Sequence, residues 1–149
     1  MKLEDEIKQK SFTDQMEKLT VNLIYTGNYV MAATNRFLKV YDISGQQYNV
    51  LRILRGQYPN PASINLLTER MLDKSSNASR LVEKLKIKKL VKRTECPEDR
   101  RQVNVEITAK GLDLLKKIDE DKANDQPRWK TLTKTEAKTL NDLLDKFRG

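Results

Sequence analysis

The sequence predicts a mainly α fold with one small β-hairpin, an α+β architecture. Several segments carry apolar residues at steps of three and four, the spacing of one helix face. Residues 103–107 instead alternate apolar and polar side chains, as a half-buried strand does. Only five Gly and four Pro occur among 149 residues, so few positions interrupt the helices.

The first long helix is predicted from Ser11 to Tyr41. Its apolar residues share one heptad-like stripe, which comprises Phe12, Met16, Leu19, Leu23, Thr26, Val30, Ala33, Phe37 and Val40. A chain of this size has few other helices to cover such a stripe, so packing against a second copy is expected. We therefore assign residues 1–43, together with residues 108–149, to a helical dimerisation region.

Residues 44–107 are predicted to form a separate set of short elements. Ser44 and Gln47 have the spacing of a capping box, and the helix that they begin should end near Gly56. Ser63 should cap a helix that reaches about Met71.

A further short helix is expected from about Ser75 to Lys89, with Asp73 as its candidate N-cap. Its apolar face comprises Ala78, Leu81, Val82 and Leu85. Two strands, 90–95 and 103–107, should then form a hairpin around a charged turn that contains Pro97.

Two helices are predicted after the hairpin. The first starts at Thr108, and its apolar face comprises Leu112, Leu115 and Ile118. The second starts at a capping box made by Thr133 and Glu136. Its apolar stripe comprises Leu140, Leu143, Leu144 and Phe147.

The net charge of +8 is concentrated in the middle of the chain. Residues 44–107 hold 13 Lys and Arg against seven Asp and Glu. The densest run extends from Arg80 to Arg93, where seven basic residues face only Glu83. Such clustering indicates a polyanionic partner, and the alternative is a solvated basic helix face.

The composition also argues against several classes of protein. The chain has no His and a single Cys, Cys96, so neither the usual metal sites nor an internal disulfide is expected. No Gly-rich phosphate loop and no paired carboxylates are evident, so we expect no cofactor and no enzymatic activity. No apolar stretch is long enough for a membrane span and no signal peptide is visible, which predicts a cytoplasmic protein.

This order of elements is that of a winged helix-turn-helix domain, which has two short helices joined by a tight turn and then a hairpin with a basic tip. The second helix of such a domain fits the major groove of DNA. Five segments carry a closer resemblance: Leu67-Thr-Glu-Arg-Met71, residues 76–85, Leu90-Val-Lys-Arg93, Asp99-Arg-Arg101 and Ile107-Thr-Ala-Lys-Gly111. With these segments, residues 44–118 resemble the multiple-antibiotic-resistance regulator (MarR) family of transcription regulators.

The resemblance implies a homodimer with interlocked terminal helices that binds a palindromic operator in double-stranded DNA, more often as a repressor. By position it implies major-groove contacts from Ser75, Ser76, Asn77, Ser79 and Arg80, beside which Lys84 extends the basic face. It also implies that Arg100 and Arg101 form the wing and that Asp99 orients an Arg nearby.

One departure concerns the turn before the recognition helix, where Leu72 and Asp73 replace the usual Gly and small apolar residue. Peroxide-sensing members carry their reactive Cys in the first helix, so Cys96 in the wing does not support a switch of that kind. A small-molecule effector is a further expectation, with Tyr25, Tyr29, Tyr48 and Trp129 either lining its pocket or simply packing. The alternative function is a protein–protein adaptor that does not read DNA, for which a neutral or acidic recognition helix is expected.

Overall fold

The computed structural model describes residues 1–95, 103–124 and 131–149. In chain order its elements are α1 (Leu3–Ile7), α2 (Gln15–Leu38) with a 3-10 turn (Lys39–Tyr41), α3 (Gly45–Gln57), β1 (Ala62–Ser63), α4 (Ile64–Arg70), α5 (Ala78–Ile87), β2 (Val91–Glu95), β3 (Val103–Ile107), α6 (Ala109–Asn124) and α7 (Lys134–Arg148). The predicted mainly α fold with a small antiparallel sheet is confirmed. No helix in these ranges is long and apolar enough to cross a membrane.

The sheet has three strands in the order β1–β3–β2, all antiparallel. The predicted hairpin pairs Val91 with Ile107 at its base and Glu95 with Val103 at its far end. The sequence analysis missed β1, in which Ala62 pairs with Val105. Two residues are too few to show a strand periodicity, and only the approach of β3 reveals their pairing.

Most predicted helix starts are confirmed by their caps. Ser44 and Gln47 form a complete capping box on α3, and Thr133 and Glu136 form one on α7. Ser63 accepts a hydrogen bond from the Leu66 amide and caps α4. The long helix begins four residues after the predicted start near Ser11, because the Asp14 carboxylate accepts from the amides of Met16 and Glu17 and begins α2 at Gln15.

One apolar core joins α3, α4, α5, the sheet and α6. Its fully buried side chains include Leu51, Leu54, Leu67, Val82, Leu85, Val105, Leu115 and Ile118. The long helix α2 reaches this core at its end, where Leu38 is fully buried. Leu38 lies outside the predicted stripe, and of the stripe only Phe37 packs against the core. Most of α2 therefore extends beyond the core.

The sharp turn from β3 into α6 depends on Thr108 and Gly111. The Thr108 hydroxyl donates to the Lys89 carbonyl at 2.9 Å and accepts from the Gly111 amide at 3.1 Å. At Gly111 a Cβ atom would overlap the Leu90 carbonyl oxygen and lie 2.7 Å from Ile107 Cγ1. The Gly at this position therefore lets α6 pack directly on the start of β2.

Candidate nucleic-acid interface

The candidate interface begins in the turn between α4 and α5. Here the structure corrects the sequence analysis, because α5 begins at Ala78 and its N-cap is Asn77, not Asp73. The Asn77 Oδ1 atom accepts from the Arg80 amide at 2.9 Å. Asp73 instead folds back over its own turn and accepts hydrogen bonds from Ser75 and Ser76.

The recognition helix α5 divides cleanly into a buried and an exposed face. Ala78, Val82 and Leu85 are buried in the core, as predicted. On the outside, Asn77, Ser79, Arg80 and Lys84 are exposed, with Ser75 exposed and Ser76 half-buried in the preceding turn. These six hydrogen-bonding residues thus lie at the start and along the solvent side of one short helix, which is the arrangement that a groove-reading helix needs.

Glu83 is the only acidic residue of this helix, and its charge is compensated. Its carboxylate forms an ion pair with Arg93 of β2 and lies 3.9 Å from the Lys86 ammonium. The sequence analysis counted Arg93 among the basic residues but did not assign it this contact. The Glu83–Arg93 pair joins the recognition helix to the hairpin, and Arg80 and Lys84 are exposed on the same helix.

The wing itself is described only at its base. Strand β2 extends as far as Glu95 and β3 starts at Val103. The predicted wing residues Arg100 and Arg101, the orienting Asp99 and the single thiol Cys96 lie outside the described residues.

A polar cluster connects α6 to α3. The Lys122 ammonium lies 4.3 Å from the centre of the Tyr48 ring and donates to its hydroxyl oxygen at 3.1 Å, and Arg52 donates to the same oxygen at 3.2 Å. Burial acts to raise the pKa of Tyr48, but the hydrogen bonds from Arg52 and Lys122 outweigh it and lower that pKa below its usual value. Arg55 of α3 also binds Asp119 of α6 at 2.6 Å.

Of the aromatic residues predicted as pocket lining, the three that the structure describes lie in two different places. Tyr48 lies in the α3–α6 cluster, whereas Tyr25 and Tyr29 of α2 line a cavity of about 170 Å³ against α1. There the Tyr25 hydroxyl donates to Glu6 at 2.7 Å. Trp129 lies outside the described residues.

Comparison with known proteins decides the family of the winged domain. The family model that describes the MarR family matches residues 41–102. These residues belong to the MarR family. They include α3, β1, α4, α5 and β2, whose winged-helix arrangement is that of the solved MarR-family relatives.

Solved structures extend the likeness over nearly the whole chain. A MarR-like transcription regulator from Bacillus cereus is 25% identical, with a TM-score of 0.79 over 90% of this chain and 96% of that one. A MarR transcription factor from Planctomyces limnophilus is 28% identical, with a TM-score of 0.68 over 93% and 98%. The S. aureus MepR–DNA complex shares the fold, with 20% identity and a TM-score of 0.74 over 92% and 96%. No curated protein sequence matches this chain.

Proposed function

We propose that this chain is a homodimeric, sequence-specific DNA-binding transcription regulator that acts as a ligand-responsive repressor on a palindromic operator. The exposed face of α5 carries the proposal. Its residues are Ser75, Ser76, Asn77, Ser79, Arg80 and Lys84, and its one carboxylate is already paired with Arg93. Short hydroxyl and amide side chains can form hydrogen bonds with base edges, and the Arg80 guanidinium can contact either a base edge or a phosphate.

The fold supports the same proposal. MepR, which has this fold, was solved as a DNA complex. In the proposed complex α5 enters the major groove, and Arg100 and Arg101 at the end of the hairpin reach the adjacent minor groove, with Asp99 orienting one of them. The adaptor alternative calls for a neutral or acidic helix, and the exposed cations Arg80 and Lys84 disfavour it.

A surface depression offers a candidate site for the small-molecule effector. This depression has a volume of about 700 Å³ and lies between the 3-10 turn, the end of α5 and α6. Its walls carry four lysines and two aspartates beside apolar side chains, so its charge is net positive and it suits an anion with an apolar body; the charged residues are Lys88, Lys89, Lys110, Lys117, Asp42 and Asp113. A ligand there would contact α6 and the end of the recognition helix together.

The test is selection of bound fragments from genomic DNA by the full chain, followed by titration of the selected site at several salt concentrations. The logarithm of affinity should fall with the logarithm of salt concentration by about 0.9 for each phosphate neutralised. Arg80→Ala should cost about 1–3 kcal/mol per half-site and relax the preference at one base position.

A matched control removes the same charge far from the interface. Arg148 lies at the end of α7 and is paired with Asp145. Arg148→Ala should leave the selected sequence and the salt dependence unchanged. A slope near zero for the wild-type chain would favour the adaptor function instead.

A further inference from the structure

Asp73 binds the hydroxyl groups of both serines that precede the recognition helix. Ser75 Oγ lies 2.6 Å from Asp73 Oδ1, and Ser76 Oγ lies 2.7 Å from Asp73 Oδ2. The Ser75 amide also donates to Asp73 Oδ1, at 3.0 Å. Each carboxylate oxygen therefore holds one seryl hydroxyl.

The direction of these hydrogen bonds follows from the chemistry of the groups. An ionised carboxylate can only accept, so both seryl protons must point at Asp73. The hydrogen bonds from Ser75 and Ser76 lower the pKa of Asp73 below its usual value, which keeps the carboxylate ionised at neutral pH. Each serine oxygen therefore has two lone pairs, and no proton, left for a partner outside the turn.

The turn that holds this arrangement is anchored to the core. The Leu72 amide donates to Asn49 Oδ1 of α3 at 2.9 Å, immediately before Asp73. The Ser76 amide donates to the Asp73 carbonyl at 3.3 Å, immediately before the Asn77 cap. Asp73 and Ser76 are half-buried and Ser75 is exposed, so this turn lies at the protein surface.

We infer that Asp73 is a positioning residue that fixes Ser75 and Ser76 as hydrogen-bond acceptors and so makes the site select bases that carry an amino group. In the major groove those groups are adenine N6 and cytosine N4, whereas guanine and thymine present acceptors at the corresponding positions. Phosphate oxygens are acceptors as well, so serines held in this way are not suited to backbone contacts. The inference rests on the proposed function, because it concerns the same face of α5.

Without the carboxylate, each hydroxyl could rotate and either donate or accept. Asp73→Ala should therefore weaken the preference for adenine or cytosine at the positions that the serines read. One hydrogen bond contributes about 0.5–1.5 kcal/mol net, which corresponds to a change of about two- to tenfold in the ratio of affinities. Ser75→Ala and Ser76→Ala should relax the same positions individually.

Asp73→Asn provides the sharper variant. An Asn side chain can accept from one serine but must donate to the other, whose own proton is then free to point outward. One of the two positions should therefore come to accept guanine or thymine, while the other keeps its preference. Asp5→Asn, an exposed carboxylate on α1, is the control and should select the wild-type sequence.

Each full-length variant is used to select sites from a randomised duplex library, and its affinity for the highest-ranked sites is then measured. Thermal unfolding is recorded for each variant to show that it folds. If Asp73→Ala does not fold, the two serine variants still decide the outcome. Unchanged base preferences in folded Asp73 and serine variants would overturn the inference, as would a wild-type preference for guanine or thymine at the serine positions. Failure of the wild-type chain to select any sequence would instead contradict the proposed function.

Discussion

Single side chains at the start of α5 serve the fold and the proposed DNA contact together. Asn77 uses its Oδ1 atom to cap the helix through the Arg80 amide, which leaves its amide nitrogen to act as a donor outside. Ser75 and Ser76 likewise donate their hydroxyl protons to Asp73, which leaves their oxygen lone pairs to accept from a partner outside. The residues that shape this turn are therefore the residues that we expect to touch the bases.

Substitutions at Asn77 should separate these two tasks. Asn77→Ala removes the cap and should lower the free energy of unfolding by about 1 kcal/mol. Asn77→Asp preserves the cap, because Asp and Asn cap comparably, but it adds a negative charge beside the phosphates. Its stability in chemical denaturation should thus be near that of the wild type while its DNA affinity falls. Equal DNA affinity for Asn77→Asp and wild type would place this residue outside the interface.

Gly111 is a second residue with a definite prediction. Gly111→Ala should lower the free energy of unfolding by about 1–3 kcal/mol, because the added methyl group meets the Leu90 carbonyl and the Ile107 side chain. Gly56→Ala is the control, since nothing lies within 4 Å of its added carbon. The control should be neutral or stabilising in urea denaturation. A loss as large for Gly56 as for Gly111 would contradict the close approach of α6 to β2.

At the scale of elements, α2 and α7 differ from the rest of the fold. Helix α7 has no buried residue, and Leu140, Leu143 and Phe147 are 45%, 58% and 49% exposed. On α2, Met16, Leu19 and Val30 are exposed in the same way. Apolar stripes of this length within one chain are consistent with the proposed homodimer, in which each helix would cover its counterpart.

Leu143→Glu should therefore weaken dimerisation strongly, because it would bury an unpaired charge in the interface. Sedimentation of the wild type should show a species of twice the 17.3 kDa chain mass, and the variant should shift toward the single chain. Asn141→Glu adds the same charge to the polar flank of α7 and should leave the mass unchanged. A wild-type chain that sediments at 17.3 kDa at micromolar concentration would exclude the dimer.

At the scale of the whole molecule, the proposed dimer constrains the DNA site. A two-fold axis places two identical α5 helices in the same relation to the duplex, so the preferred site should be an inverted repeat. Both helices reach major grooves on one side of the duplex when the half-site centres are about 10–11 base pairs apart, or a multiple of that. The net charge of +8 then doubles in the assembled protein.

Insertion of about five base pairs between the half-sites tests this geometry, because it turns one half-site to the opposite side of the duplex. Binding to such a site should fall to the level of random DNA. An insertion of about ten base pairs returns both half-sites to the same side of the duplex but increases the distance between them. A rigid dimer cannot stretch to match that distance, so little recovery of binding is expected. Retained affinity after the five-pair insertion would contradict two-fold recognition.

Much of the fold could be predicted because its signals are local. The capping boxes of α3 and α7 each need only two residues three apart, and the alternation in residues 103–107 indicates its own strand. The family resemblance likewise depends on short motifs such as Ile107-Thr-Ala-Lys-Gly111. The exposed side of α5 could be predicted too, because its buried side follows a helical period.

What the sequence determined by itself is thus the order of the elements, their apolar faces and the candidate residues of the interface. The tertiary structure decided which of four good capping residues begins α5, since Asp73, Ser75, Ser76 and Asn77 are all suitable and the cap is Asn77. It also decided the pairing of β1, the Glu83–Arg93 ion pair and the direction in which two hydroxyl protons point. These features depend on which groups distant or competing segments bring within hydrogen-bond reach, and local sequence patterns do not encode that choice.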